Sequence, residues 1–233
     1  YKRQGSARTA MGQGMALMRK ALVATIGLAL MTLAGCGDLQ DSRTLLRDVV
    51  MGGGDRAQPT PMPRVTQAML AQQKTPLISA HVERTEGNAL LALAGRNAGV
   101  DTYVSGDGST LAFRDGVLVA TRGLAGADLM SAEVPSRTVI SAGTGQHQRR
   151  MFYIDGDNQP YARSFLCDLS NIGQENLVVA ERSFATRHVI ERCRSEDISV
   201  ENAYWIDDSG VIRGSRQWVS PYLGWVELRQ LKD

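Results

Sequence analysis

Apolar and polar residues follow three different periods along the 233-residue chain. Residues 21–33, ALVATIGLALMTL, form an unbroken run of thirteen uncharged positions. As a helix this run would extend about 20 Å, short of the roughly 30 Å hydrocarbon core of a bilayer. Leu45, Leu46, Val49 and Val50 then recur at helical spacing, until Met51-Gly-Gly-Gly54 ends the pattern. Pro59, Pro61 and Pro63 follow, and each denies a helix interior or a central strand its backbone donor. Residues 64–73 place Val65, Ala68, Met69 and Ala71 near one face, which predicts a second short helix.

Beyond Pro76 the period shortens to that of strands. Runs at 77–84, 89–94, 102–104, 111–113, 117–120, 137–141, 148–154, 161–168, 177–181, 187–193, 200–206, 211–218 and 224–229 are apolar-rich and short. Turn residues separate many of them: Glu86-Gly87-Asn88, Gly106-Asp107-Gly108, Asp115-Gly116, Asp155-Gly156-Asp157-Asn158 and Asp207-Asp208-Ser209-Gly210. So many short strands joined by tight turns cannot remain an open flat sheet. The expected fold is mainly β: an antiparallel meander closing into a barrel-like or strongly curled sheet, with one or two short N-terminal helices.

The apolar run at 21–33 has the flanks of an export signal. Arg19 and Lys20 precede it, and Leu33-Ala34-Gly35-Cys36 follows at once, a sequence that resembles the lipobox of bacterial lipoproteins. The reading is a precursor segment at 1–35, with translation starting at Met15 or Met18, and a lipidated tether at 36–63. The β domain occupies 64–233. Cys36 is the lipidated residue, carrying fatty acyl chains such as palmitate. Gly37 follows it where an inner-membrane retention signal would place aspartate, so the expected site is the periplasm-facing outer membrane.

Charge and cysteines narrow the class further. Five of the 26 basic residues precede Cys36 and none of the 24 acids does, so the remainder carries a formal charge of −3. Without a net positive field, nucleic-acid binding has no electrostatic support. Cys167 and Cys193 remain after Cys36 is assigned. In an oxidising compartment the expected outcome is a disulfide, worth roughly 3.5 kcal/mol on the chain-entropy model.

Two stretches carry a family resemblance. Asp115-Gly-Val-Leu-Val-Ala-Thr-Arg-Gly-Leu-Ala-Gly-Ala-Asp-Leu-Met-Ser131 and Arg216-Gln-Trp-Val-Ser-Pro-Tyr-Leu-Gly-Trp225 are similar to segments of the YjbF/GfcB family of group 4 capsule and exopolysaccharide lipoproteins. The resemblance extends over about residues 69–231. It implies a barrel-like β domain without assigned catalytic residues, working beside an outer-membrane export partner in making or exporting polysaccharide.

The residues themselves offer only modest candidate chemistry. His81, His147 and His188 are far apart and show no metal-ligand spacing, so neither a metal nor another cofactor is expected. Asp155, Asp157, Asp207 and Asp208 sit where hairpin turns use aspartate, and turn formation is the expected role over a paired-carboxylate site. The Arg122-Gly123 to Asp128 loop follows a very apolar strand. Arg122 there either binds an acidic sugar or partner carboxylate, or pairs with Asp128 to hold the loop. Trp205, Trp218, Tyr222 and Trp225 are candidates for a sugar-stacking platform, with core packing as the alternative. The expected role is binding without catalysis; a carbohydrate-binding module and a polysaccharide-modifying enzyme are the alternatives.

Overall fold

Alternation of apolar and polar positions over short runs builds strands here, and the turns between them keep each strand beside its neighbour in sequence. A computed structural model describes residues 61, 64–124, 128–154 and 157–233, which lie within the compact unit Ala57–Asp233. The segment at 1–35, Cys36 and the tether as far as residue 60 lie outside the described residues. The strands are β1 (Leu77–Val82), β2 (Gly87–Asn97), β3 (Val100–Ser105), β4 (Thr110–Arg114), β5 (Val117–Arg122), β6 (Ser131–Glu133), β7 (Thr144–Ile154), β8 (Pro160–Val179), β9 (Arg182–Arg194), β10 (Ser199–Asp207), β11 (Ile212–Ser220) and β12 (Gly224–Lys232). Two short helices accompany them, α1 (Gln67–Gln72) and α2 (Arg137–Ala142).

All twelve strands form one antiparallel sheet in the order β5-β4-β3-β2-β1-β12-β11-β10-β9-β8-β7-β6. Every strand except β5 and β6 pairs on both sides, and β1 pairs with β12 to join the two ends of the chain's path. β5 and β6 stand at opposite ends of this order yet approach each other, because the Thr121 amide donates to the Leu129 carbonyl at 2.9 Å. The sheet is therefore nearly closed into a barrel, the mainly β fold expected from the meander pattern. Such closure removes the unpaired edges that an open sheet would present.

Leu91, Leu111, Leu118, Met151, Phe165 and Val226 are among the residues that fill the lumen. On the outer wall, α1 buries Leu70 against Leu177, Val179 and Leu231, where the tip of the long β8–β9 hairpin packs. Thr66 caps α1 by accepting from the Met69 amide at 3.3 Å. Part of the outer face is charged: Arg192 pairs with Glu201 at 2.9 Å and Arg194 with Asp168 at 2.7 Å. A barrel that crosses a bilayer shows an apolar band at such positions.

Two sequence expectations are corrected, and one short strand is missed. Residues 137–141 are helical, in α2, and do not form a strand. Ser136 caps α2 through the Val139 amide, and Gly143 ends it in the left-handed conformation at φ 66°; these local signals outweigh the β-branched Thr138, Val139 and Ile140. The runs at 161–168 and 177–181 are one strand, β8. The polar stretch Ser170-Asn-Ile-Gly-Gln-Glu-Asn176 between them reads as a turn but stays paired with β9 across an irregularity at Asn171/Gly173. The short strand β6 goes unread because three residues carry no period.

Candidate functional site

The Arg122–Asp128 loop is the seam of the barrel. Arg122 donates through its guanidinium to the carbonyls of Thr121, Leu129 (2.9 Å) and Met130 (3.0 Å). Asp128 accepts from the Gly123 amide at 2.9 Å, the Leu124 amide at 3.2 Å and the Thr121 hydroxyl at 2.8 Å. The two side chains hold the loop, but Arg122 does so through backbone carbonyls and Asp128 through backbone amides and the Thr121 hydroxyl, and the expected pairing of Arg122 with Asp128 is not formed. Gly123 has φ 79°, and a Cβ there would lie 3.3 Å from the Ser109 Cα, so glycine suits this point of the seam on two counts.

The four candidate aromatics do not form one exposed surface. Trp218 is 2% exposed and meets Phe165 edge-on in the lumen. Trp205 stacks on His188 at 4.6 Å in the outer cluster beneath the hairpin tip. Trp225 lies under the Arg216 guanidinium and donates to the Glu201 carbonyl at 2.8 Å. Tyr222 is well exposed in the β11–β12 turn. The turn acids behave as hairpin chemistry predicts: Asp207 accepts from the amides of Ser209 and Val211, both at 3.0 Å. Asp107 does the same for the Ser109 amide at 3.1 Å. Asp155 lies outside the described residues.

Inside the barrel the fold assembles a charged network that the sequence reading missed. Glu191 on β9 is fully buried and accepts from His147 Nε2 (2.7 Å), Asn202 Nδ2 (2.7 Å) and the Tyr204 hydroxyl (3.0 Å). Arg149, also buried, reaches Glu191 at 3.1 Å and the Tyr204 hydroxyl at 3.0 Å. Burial alone would raise the Glu191 carboxyl, but Arg149 and the His147 and Asn202 hydrogen bonds outweigh it and hold it down to about 2. Asn202 in turn accepts from the Trp218 amide at 2.7 Å, tying β10 to β11.

Beside this network Cys167 and Cys193 face each other across β8 and β9 and are joined by a disulfide. One ligand atom each from His147, Cys167 and Glu191 lie within 4.8 Å of one another, a spacing that could suit a metal. The Cys167 sulfur, however, is bonded to Cys193 and the Glu191 oxygens are occupied by donors, so the cluster reads as an internal brace. A signal for it exists in the alternation. Arg149 is in phase with Met151 and Tyr153, Glu191 with Val189 and Cys193, and Asn202 with Val200 and Tyr204. A charge in phase with buried apolar residues announces a buried charge.

At the barrel end bearing the β2–β3, β4–β5 and β10–β11 turns, the lumen opens into a cavity of about 570 Å³. A width of this kind is expected, because side chains fill barrels of about eight strands while larger ones leave space. Tyr103 and Phe113 form part of its wall, edge-to-face at 5.8 Å, with Ile78 and Leu228 beside them. Burial raises the Tyr103 hydroxyl above its ordinary value, against a side-chain hydrogen bond with Gln230. On the rim, Arg96 pairs with Asp101 at 3.1 Å and Arg213 with Asp233 at 2.7 Å. Arg137 at the start of α2 and Asp115 in the β4–β5 turn also line the opening, and neither has an ion pair among the described residues.

Twelve antiparallel strands in a nearly closed sheet define a small β-barrel domain with an open end. The chain belongs to the YjbF family, the group 4 capsule polysaccharide lipoproteins GfcB and YjbF, whose model matches residues 24–231. The fold is shared with the hypothetical lipoprotein YmcC from Escherichia coli (K12), at a TM-score of 0.65 and 18% sequence identity; the match covers 85% of this chain and 98% of that one. No curated protein sequence matches the chain.

Proposed function

We propose that the protein is a lipid-anchored accessory component of a capsule or exopolysaccharide production and export system, working by binding without catalysis. On this reading, Cys36 holds it in the outer membrane, facing the periplasm, beside an export partner. The observation that carries this proposal is the family match over residues 24–231, which spans Cys36 and all but the last residue of the described strands. The charged outer wall supports it, since such a surface needs an anchor to reside at a membrane.

Binding is favoured over catalysis by how the carboxylates near the cavity are used. Asp101 and Asp233 are each committed to a guanidinium, and Asp207 is held by Ser209, Val211 and Arg213. Glycoside hydrolysis needs two free carboxyl groups flanking one bond. A specific observation also supports the carbohydrate-binding alternative, namely the open cavity with its mixed charged and apolar lining. The test combines deletion with Cys36→Ala. Deletion should abolish polymer at the cell surface, and Cys36→Ala should release the protein from the outer-membrane fraction with loss of lipid labelling. Normal polymer output in the deletion strain would refute the export role. Shortening of purified polymer by the purified protein would refute binding without catalysis.

A further inference from the structure

Arginine and aspartate at the barrel mouth are mostly consumed by each other, which makes the two that remain informative. Arg96 and Asp101 pair, as do Arg213 and Asp233, leaving Arg137 and Asp115 facing the same opening without an ion pair among the described residues. Arg137 is exposed, so its guanidinium is hydrated and free to take a planar anion in a bidentate grip. Asp115 is fixed by its turn, with φ 53° followed by Gly116 at φ 83°, and offers a carboxylate that accepts hydrogen bonds. Between them the wall changes character: half-buried Pro76, Val211 and Ile212 supply apolar surface beside the buried Tyr103 and Phe113, and Gln230 adds an amide beside the Tyr103 hydroxyl. The volume of about 570 Å³ falls within the ~300–1,000 Å³ range of small-molecule pockets.

We infer that this cavity binds the acidic unit of a saccharide, with Arg137 holding the sugar carboxylate and Asp115 accepting from ring hydroxyls. A cation alone would leave Arg137 opposed, and a purely apolar ligand would leave both charges without use. A ligand with a carboxylate, several hydroxyls and a carbon–hydrogen face uses every group the mouth presents. Half-buried Pro76, Val211 and Ile212 in the lining supply apolar surface for that face. This inference rests on the binding role proposed above and gives it a ligand class and a place.

The test uses the full-length lipoprotein in detergent and isothermal titration with a glucuronate-containing disaccharide. Its carboxyl-reduced counterpart and inorganic phosphate serve as comparisons. The acidic disaccharide should bind at least tenfold more tightly than the reduced form. Arg137→Gln should erase that preference, while Asp115→Asn, which tolerates the same backbone conformation, should weaken both sugars severalfold. Thermal melting of the two variants should match that of the wild type, since both sites are at the rim. Equal binding of the acidic and reduced sugars, or an unchanged Arg137→Gln, would overturn the assignment. So would phosphate binding as tightly as the acidic disaccharide, which marks a simple anion site. Absence of saccharide binding together with polymer loss in the deletion strain overturns the cavity assignment alone and leaves the accessory role standing.

Discussion

The barrel uses the same side chains in two opposite ways. In the lumen, Arg149 and Glu191 are shut away from water with every oxygen of the carboxylate engaged by Arg149, His147, Asn202 or Tyr204. At the mouth, Arg96 and Asp101 pair in solvent, and Arg137 and Asp115 have no such pair among the described residues. Burial decides the difference. An enclosed charge must be matched where it stands, whereas a rim charge is paid for by water and stays available to a ligand. The network is therefore a structural brace, while the mouth keeps charges that the inferred saccharide site would use.

The largest effect expected from this contrast is on Glu191. Glu191→Gln leaves Arg149 buried without its counter-charge and should cost about 3–5 kcal/mol in urea unfolding. A loss below about 1 kcal/mol would show that water reaches the network and would break the comparison. The acid response sharpens it. The folded Glu191 carboxyl lies at about 2, below its ordinary value of 4.5. The stability it contributes is thus fully present above about pH 4.5 and is lost as the pH falls toward 2. This amounts to on the order of 3 kcal/mol. Wild type should lose that increment over this range and Glu191→Gln should not; parallel pH curves would refute the assignment.

The disulfide stands next to the brace and should follow it in size. Replacing Cys167 and Cys193 together with alanine should cost roughly 3.5 kcal/mol on the loop-entropy model, read from denaturation under non-reducing conditions. Free thiols at both positions in the native protein would remove the basis for that figure. At the seam the expected effect is smaller. Arg122→Ala strips hydrogen bonds from three carbonyls, but the residue is exposed, so the loss should be about 1 kcal/mol. Faster exchange of the Thr121 amide, which bridges the seam to Leu129, is its specific readout. Unchanged exchange with lost polymer output would make Arg122 a partner contact. Smallest of all, Arg137→Gln should shift stability by less than about 0.5 kcal/mol, as an unpaired surface group does. A larger loss would place Arg137 with the brace instead of the rim.

Period and turn chemistry, both local, determined the meander without help from tertiary structure. Short apolar-rich runs marked β1–β5 and β9–β12, and Asp-Gly, Asn and Ser signals marked hairpins that join them. Cys167 and Cys193 were legible as a pair because compartment and number left little else. Where local signals competed, the reading failed: Ser136 and Gly143 made a helix of β-branched residues, and Gly173 interrupted a strand that pairing with β9 keeps continuous. What only the tertiary structure decided is which distant residues meet. His147, Arg149, Glu191, Asn202 and Tyr204 come from β7, β9 and β10, and their meeting depends on register and on which face turns inward. The cavity depends equally on closure, because Arg137, Asp115, Tyr103 and Gln230 become neighbours only once β1 pairs with β12 and β5 approaches β6. Strand period is set by each residue's own backbone, but curvature and register are set by the sum of contacts across the whole sheet, which no short stretch of sequence encodes.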